Sequence, residues 1–415
     1  MLPMKTSLFR QTFKALSHRN FKIFWSGQFI SLIGTWMQSI AQGWLVYRLT
    51  NSPFMLGLVS SMTFLPVFFL SFVGGAVADR IERRKILIFT QASSMILALL
   101  LGILTSSGLI RIWHIIIIAG CFGLINSFDA PARQSFVVDL VGKEDLRNAI
   151  ALNSSIFNSA RIIGPAIGGV LISLFGEAFC FYINAVSYIA VLTGLNLIKP
   201  DNNLSNGPDS SFKKGLIEGF KYIRENKVIF FLLLMVGITS IFGMTFTVLM
   251  PIFAKSILKV GAKGLGYLMA TAGFGSVFGA LKMASGGTRT RLKTILLGGL
   301  AGSSFLVFFA FSKWFFLSLF FLFFVGLGMI MQIAMTNTFI QEIVPDHLRG
   351  RVMSVFTFML LGMSPIGNFI AGGSAHLIGT PLTVGIGGFI CLLSVIILGK
   401  MARAASSLQE KVTTK

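Results

Sequence analysis

The chain has 415 residues, of which 54% are hydrophobic and 12% are charged. Soluble domains carry about 25% charged residues, and membrane β-strands alternate over segments of about ten residues, so the composition and the long apolar runs exclude both classes. The net charge of +21 comes from basic residues in short segments between those runs. Basic residues so placed orient a protein in the membrane, which favours a membrane protein over a nucleic-acid-binding protein.

Twelve apolar runs approach or exceed the length of about 20 residues that a spanning helix needs. Six lie in the first half, at residues 22–47, 54–78, 86–107, 112–138, 147–175 and 178–198. Six lie in the second half, at residues 228–254, 263–284, 292–311, 314–341, 350–376 and 381–402. Residues 199–211 are rich in turn formers, and 212–227 have the pattern of a basic amphipathic surface helix. We therefore expect an N-terminal half at 1–198, a cytoplasmic linker at 199–227 and a C-terminal half at 228–415.

The loop charges support this arrangement of runs. With the N-terminus in the cytoplasm, 28 of the 35 Lys and Arg residues fall in cytoplasmic segments and six fall in outer loops. This asymmetry follows the positive-inside rule and predicts that both termini are cytoplasmic. The first run follows the basic tail directly, so it is expected to serve as its own insertion signal.

The two halves share a short pattern. Residues 136–147 and 339–349 each contain a Phe, an acidic residue, two aliphatic residues and a Leu-Arg pair in the same order. Pro165 and Pro365 then occupy matching places in the fifth and eleventh runs. A repeat of this kind indicates two similar six-helix halves.

Residues 75–85 place a dense charge cluster between the second and third runs. Hydrocarbon does not accommodate such a cluster, so it marks the cytoplasmic membrane surface, and fixing topology is the simpler interpretation of its role. Its spacing of Gly, Asp-Arg and two basic residues resembles the signature loop of major facilitator transporters. The resemblance implies an all-α integral membrane fold with 12 helices in two halves around a central cavity, and Arg83 is expected to pair with Asp139. The implied gating residues are Gly75, Asp79, Arg80, Arg83, Arg84 and Asp139.

Asp129 and Arg133 lie four residues apart in the fourth run, and thus on one helix face. Asp129 is the only acidic residue well inside any of the twelve runs, and an intramembrane ionisable residue is a functional candidate. Asp129, Arg133 and the intramembrane cation Arg161 are therefore the candidates for proton coupling. Asp129 is interpreted either as a proton site or as part of a structural ion pair, and Arg161 is expected to meet an anionic substrate group or Asp129.

The fifth run contains Gly164-Pro165 followed by Gly168-Gly169. Small residues let neighbouring helices approach closely, and this motif resembles that of major facilitator exporters. Residues 126–136 and 152–165 resemble the bacterial branch that contains the enterobactin exporter. The resemblance implies proton-driven export of siderophores or drug-like amphiphiles across the inner membrane.

Polar residues recur at helical spacing in several runs and are expected to line the cavity and contact the substrate. Hydrogen bonding between helices is the alternative interpretation. The predicted cavity residues are Ser31, Thr35, Gln38, Gln42, Asn126, Asn158, Gln332, Thr336 and Asn337.

The sequence therefore predicts a monomeric secondary transporter of a small-molecule or lipid-like substrate, surrounded by membrane lipids in a bacterial cytoplasmic membrane. A lysophospholipid flippase on the same fold and a non-transporting membrane sensor or scaffold are the alternatives. The sequence contains no nucleotide-binding loop, and the proton gradient is the expected energy source in place of any cofactor. The cysteines and histidines lack metal-ligand spacing, and neither enzyme activity nor a nucleic-acid partner is expected.

Overall fold

A computed structural model describes residues 13–142, 144–198, 212–284 and 291–413 of the protein. Nearly all of these residues are helical, and no strand occurs among them. Residues 199–211 of the predicted linker lie outside the described ranges. Helices suit so apolar a chain because each helix pairs its own backbone N–H and C=O groups within the membrane.

Six long helices form the first half of the chain, after a single 3₁₀ turn at Lys14–Ser17. Gly142 and Gly176 end the fourth and fifth of them with φ angles of 69° and 80°. These angles lie in the left-handed region, which glycine adopts without strain at a helix C-terminus. The helices are α1 Arg19–Thr50, α2 Pro53–Arg80, α3 Arg83–Ser106, α4 Ile112–Val141, α5 Leu146–Phe175 and α6 Glu177–Leu197.

The second half contains a short helix followed by six long ones. Asn226 separates the short helix from the next, because its side chain accepts a hydrogen bond of 3.3 Å from the backbone N–H of Ile229 and starts a new helix. The amphipathic helix predicted at 212–227 therefore ends at Glu225. The helices are α7 Phe212–Glu225, α8 Lys227–Ile257, α9 Gly261–Ala284, α10 Arg291–Phe311, α11 Phe315–Ile343, α12 Asp346–Ile378 and α13 Thr380–Thr413.

Helices α8 and α12 are not regular along their whole length. The first contains π-helical turns at Thr239–Gly243 and Phe253–Ile257, and the second contains one at Phe358–Gly362. The Ser240 hydroxyl donates a 2.7 Å hydrogen bond to the Leu360 carbonyl, which joins a π turn of α8 to that of α12. Such turns are rare and often occur at functional sites.

The observed helices agree with the predicted spans. Within the described residues, eleven helices are long and apolar enough to cross a membrane. Helix α1 corresponds to the remaining predicted span and is 32 residues long, but its polar stripe lowers its mean hydropathy. Helix α13 continues beyond the predicted end at residue 402 because the following residues, rich in Ala, include strong helix formers.

Large apolar side chains are exposed along the outer faces of the helices. Phe89 and Leu377, for example, are 73% and 83% exposed. Soluble proteins seldom expose extended apolar surface, whereas lipid tails solvate it well. The exposed apolar faces therefore support a multi-pass membrane protein.

The helix packing repeats between the two halves. In the first half α3 packs against both α4 and α6. In the second half α10 packs against both α11 and α13. The third helix of each set of six therefore has the same two neighbours, as the predicted repeat requires.

The chain divides into two compact units. Unit 1 contains residues Met1–Leu49 and Met62–Gly207, and unit 2 contains Thr50–Ser61 and Pro208–Lys415. The first turns of α2 join unit 2 because they bond to α12. The Ser61 hydroxyl donates to the Pro365 carbonyl at 2.8 Å, and the Asn368 amide donates to the Ser60 hydroxyl at 2.9 Å.

A small ionic cluster attaches the N-terminal 3₁₀ turn to the start of α5. Asp145 lies 2.8 Å from both Lys14 Nζ and His18 Nε2, and the Ala15 N–H donates to the Asn148 side chain. Hydrogen bonds from His18 and Lys14 lower the pKa of the Asp145 carboxyl, and the bond to Asp145 raises the pKa of Lys14. We call Lys14, His18 and Asp145 the N-terminal clasp.

Candidate functional site

The Asp129 carboxylate lies at the centre of a buried polar cluster in unit 1. Its side chain is 2% exposed, and its Oδ1 atom accepts hydrogen bonds of 2.8 Å from the Thr90 hydroxyl and the Gln91 amide of α3. Its Oδ2 atom lies 2.6 Å from a terminal guanidinium nitrogen of Arg133, one turn further along α4. The charge is thus balanced by one arginine and fixed by two neutral donors, as a buried carboxylate requires.

The same cluster contains polar atoms whose hydrogen-bonding capacity is unused. Arg133 donates a 3.2 Å hydrogen bond to Gln28 Oε1 on α1, while Gln28 Nε2 and Gln91 Oε1 are buried without a hydrogen-bond partner. Unsatisfied buried polar atoms are few in folded proteins. One donor and one acceptor therefore stay available beside the Asp129–Arg133 ion pair.

Arg161 lies on a different helix and does not join this cluster. It stands midway along α5, enclosed by protein atoms, and retains a partly accessible surface. Among the described residues it forms no ion pair; its guanidinium carbon lies 5.9 Å from the ring centre of Trp36 on α1. The expectation that Arg161 meets Asp129 is therefore not fulfilled, because Asp129 is paired with Arg133.

The glycines of the predicted exporter motif form a close contact with α1. Gly164, Pro165, Gly168 and Gly169 are all buried. A Cβ atom at Gly164 would lie 2.6 Å from the Trp36 Cβ and 2.8 Å from the Ile33 carbonyl oxygen. Close helix contact therefore requires a residue without a side chain at this position.

The predicted gating residues hold the α2–α3 loop within unit 1. Arg83 forms an ion pair with Asp139 at the end of α4, as the sequence predicted. Arg84 donates hydrogen bonds of 2.6 and 3.2 Å to the carbonyls of Leu195 and Asn196, at the C-terminal end of α6. A cation at that end also interacts favourably with the helix dipole.

The remaining gating residues lie at the end of α2. Arg80 is exposed, and a Cβ atom at Gly75 would meet nothing within 4 Å. Asp79 belongs to α2 by its backbone, but its side chain lies outside the described part of the protein. The latch predicted for Asp79 therefore stays a prediction.

The polar stripe of α1 turns partly toward α6. Ser31 and Gln38 are buried, and Gln38 Oε1 accepts a 2.6 Å hydrogen bond from the Asn184 amide. Thr35 is exposed and Gln42 is half-buried. Gln38 therefore serves helix packing, while Thr35 and Gln42 keep the accessibility that a substrate contact needs.

The other predicted cavity residues divide in the same way. Gln332 and Thr336 are buried, and Gln332 donates a 3.0 Å hydrogen bond to the Thr239 hydroxyl of α8. Asn337 is half-buried and accepts a 2.5 Å hydrogen bond from Gln341. Asn126 is exposed, and Asn158 is half-buried with its amide bonded to the Ser154 carbonyl. Contact with a substrate stays a prediction for all of them.

The site contains three residues that the sequence interpretation missed. Gln28, Thr90 and Gln91 bond to Asp129 or Arg133, and the adjacent polar pair at 90–91 inside an apolar run was the available signal. No group of three His, Cys, Asp or Glu residues suited to a metal ion occurs in the described ranges.

Comparison with known proteins identifies the family. Residues 10–412 match the family described as transmembrane secretion effector. The staphyloferrin A transporter of Staphylococcus aureus is 28% identical over 390 residues, which cover 90% of this chain and 94% of that protein. The enterobactin exporter EntS of Salmonella typhi is 24% identical over 396 residues, which cover 93% of this chain and 94% of that protein.

Solved structures show the same fold. A bacterial homologue of the human lysosomal transporter Spinster has a TM-score of 0.76 at 12% identity and covers 94% of this chain and 97% of its own. The POT family transporter PepTSo has a TM-score of 0.68 at 13% identity and covers 94% of this chain and 99% of its own. With the helix packing and the full-length match, these similarities establish that the chain belongs to the transmembrane secretion effector family of major facilitator transporters.

Proposed function

We propose that this transporter exports a small amphipathic molecule, a siderophore or a drug-like compound, from the cytoplasm. Export uses the proton gradient and alternating access of the two halves in a bacterial cytoplasmic membrane, with both termini in the cytoplasm. The relatives named for staphyloferrin A transport and enterobactin export match over at least 90% of the chain. The proposal takes the substrate class and direction from them. It takes the energy coupling from the buried polar group of Gln28, Thr90, Gln91, Asp129 and Arg133, which we call the Asp129 cluster.

The buried Asp129 carboxylate is the observation that carries proton coupling. A proton on Oδ2 would remove the negative charge that faces Arg133 and weaken the ion pair between α4 residues. Arg133 would then depend on Gln28 of α1 as its hydrogen-bond partner. Protonation thus changes the forces between α1 and α4, which is what a coupled transporter requires of its proton site.

The close packing of α5 on α1 connects the exporter motif to the predicted substrate residues. Gly164 brings the exporter motif against Ile33 and Trp36, in the helix that carries the accessible polar residues Thr35 and Gln42. A proton-dependent change in α1 would therefore reach the predicted substrate residues directly. The Arg83–Asp139 pair and the Arg84 bonds to α6 would hold the cytoplasmic loop during that change.

Transport by the purified protein in proteoliposomes tests the proposal. Staphyloferrin A, enterobactin and an amphipathic dye are measured with and without a pH gradient, for wild type and Asp129→Asn. We expect gradient-driven movement of at least one solute by wild type and loss of the gradient dependence in Asp129→Asn. Asp346→Asn is the matched control, because Asp346 is 88% exposed and is the first residue of α12.

The possible results separate the alternatives. Lipid movement that is independent of the gradient would favour a flippase. Absence of movement of any solute or lipid would favour a sensor or scaffold. Gradient-driven export that persists in Asp129→Asn would overturn the assignment of the proton site and leave the export function standing.

A further inference from the structure

Among the described side chains in the membrane interior of unit 1, one cation has no counter-charge. Among the described residues, Asp129 and Arg133 neutralise each other, while Arg161 has no acidic partner. Arg161 lies near the middle of the 30-residue helix α5, about 20 Å from either end at 1.5 Å per residue. That distance prevents its side chain from reaching the membrane surface by snorkelling.

An aromatic pair accompanies this charge. Phe157 and Arg161 lie one turn apart on α5, and the Phe157 ring meets Trp36 edge-on with centroids 5.6 Å apart at 73°. The Trp36 ring also lies 5.9 Å from the Arg161 guanidinium. A cation–π contact at this distance is weak and does not remove the charge. We call Trp36, Phe157 and Arg161 the Trp36 cluster.

The Trp36 cluster is accessible. Phe157 is 47% exposed, and Trp36 and Arg161 are both partly exposed. Gly164, one turn beyond Arg161, leaves room for the base of the Trp36 side chain. A ligand thus meets an apolar surface and a guanidinium without a described acidic partner side by side.

We infer that the Trp36 cluster binds an organic anion, with a carboxylate on Arg161 and an apolar or aromatic body on Trp36 and Phe157. A guanidinium recognises a carboxylate through two parallel hydrogen bonds, and the bound carboxylate supplies the missing counter-charge. The inference rests on the proposed function, since it gives the exported molecule an anionic group. It also assigns Arg161 to substrate binding and leaves proton coupling to Asp129 and Arg133.

Binding of a matched pair of probes tests this inference without transport. The full-length protein in nanodiscs is dialysed against radiolabelled 1-naphthylacetate or against its neutral amide, 1-naphthylacetamide. Wild type is expected to bind the carboxylate more tightly than the amide. Arg161→Gln is expected to weaken carboxylate binding by about tenfold to a hundredfold, as for the loss of a hydrogen bond to a charged group, and to leave amide binding unchanged.

Further variants separate charge from geometry and from folding. Arg161→Lys retains the charge but not the bidentate donors, so its affinity should lie between those of wild type and Arg161→Gln. Trp36→Phe should bind nearly as well as wild type, whereas Trp36→Ala should weaken both probes. Lys313→Gln removes an exposed cation elsewhere and should bind like wild type. Size-exclusion profiles and melting temperatures establish whether each variant is folded. If Arg161→Gln does not fold, the carboxylate affinity of Arg161→Lys relative to wild type tests the inference instead.

Each result supports or overturns the inference. Equal binding of both probes by wild type, or an unchanged carboxylate preference in Arg161→Gln, would overturn it. Arg161-dependent displacement of 1-naphthylacetate by lysophosphatidylglycerol at equal concentration would identify a lipid phosphate as the occupant and overturn the carboxylate assignment. Arg161-dependent binding without export would refute the proposed function alone, and export by an Arg161→Gln variant that keeps its preference would refute the inference alone.

Discussion

The two units hold different kinds of polar group in their membrane-spanning helices. In unit 1 the described spans contain Asp129, Arg133 and Arg161 within regular α-helices. In the described part of unit 2 the buried polar groups away from the helix ends are neutral, such as Gln332 and Thr239, and the helices α8 and α12 contain the π turns. Charge is thus concentrated in one unit and helix irregularity in the other.

The difference indicates that the two units have different roles. A buried charge needs partners at fixed distances, which regular helices provide, and the Asp129 cluster satisfies this need with donors from α3 and α4. π turns are rare and often occur at functional sites. Unit 1 would then hold the charged groups used in transport, while the π turns of unit 2 would be sites of local rearrangement.

The largest effect is expected from breaking the charge balance of unit 1. Asp129→Leu leaves Arg133 without a counter-charge and Thr90 and Gln91 without an acceptor, so we expect a loss of about 3–5 kcal/mol in the free energy of unfolding. Gln332→Leu in unit 2 removes one neutral hydrogen bond and should cost about 0.6 kcal/mol. Unfolding of the purified proteins in mixed micelles measures both.

A double variant serves as the control for this experiment. Asp129→Leu combined with Arg133→Met removes the pair as a whole and should recover most of the lost stability, since apolar residues can replace a buried ion pair. Equal losses for Asp129→Leu and Gln332→Leu would contradict the contrast between the units.

A smaller effect is expected from widening the α1–α5 contact. Gly164→Ala places a methyl group 2.6 Å from the Trp36 Cβ and 2.8 Å from a backbone oxygen, and overpacking of this kind costs about 1–3 kcal/mol. Gly120→Ala on α4 is the control, because its methyl group would meet nothing within 4 Å. A melting temperature lowered only in Gly164→Ala would agree with the prediction, and equal shifts would contradict it.

Loosening the π turns of unit 2 should have a modest effect on stability. Ser240→Ala removes the hydrogen bond to the Leu360 carbonyl, which is worth about 0.6 kcal/mol between membrane helices. Hydrogen exchange should accelerate at residues 239–243 and 358–362 and stay unchanged in α3 and α4. Uniform acceleration in both units would show that the π turns are not locally adaptable.

The smallest effect is expected at the N-terminal clasp, whose contribution to the stability of unit 1 depends on pH. The lowered pKa of Asp145 means that its contribution is present above the ordinary pKa of an aspartate and is lost as the pH falls through the lowered value. The raised pKa of Lys14 means that its contribution is present below the ordinary pKa of a lysine and is lost as the pH rises through the raised value.

Hydrogen exchange of residues 14–18 measures the stability of the clasp. It is followed from a pH below the lowered pKa of Asp145 to a pH above the raised pKa of Lys14. Protection should be greatest between them and should decrease on either side. Asp145→Asn should remove the dependence at the acidic limit, whereas Asp346→Asn, which alters an exposed carboxylate in unit 2, should leave it unchanged. If protection of residues 14–18 still decreases at low pH in Asp145→Asn, a group other than Asp145 causes that decrease.

The sequence determined those features that depend on local pattern. Apolar length predicted the spans, and helical spacing placed Asp129 beside Arg133. Each of these two relations follows from one helix. The Arg83–Asp139 pair was expected from the family resemblance, and it joins the start of α3 to the end of α4.

The features that were missed depend on packing between distant residues. Gln28 and Gln91 approach Asp129 and Arg133 from α1 and α3, and the Asn184 amide donates a hydrogen bond to Gln38. Hydrophobic periodicity does not distinguish a polar side chain that faces a neighbouring helix from one that faces water. The π turns were missed because they lie within long apolar spans, where one extra residue in a turn does not interrupt the run of apolar residues.

Gly164 has a consequence for how this transporter could diversify. Its missing side chain sets how closely α5 approaches α1 and therefore how far the Trp36 ring stands from the Arg161 charge. A larger residue there would enlarge the gap between ring and cation without changing either of them. Substitution at Gly164 could then change substrate selectivity by altering this distance alone. The glycines of this motif are therefore positions to compare among relatives that transport different substrates.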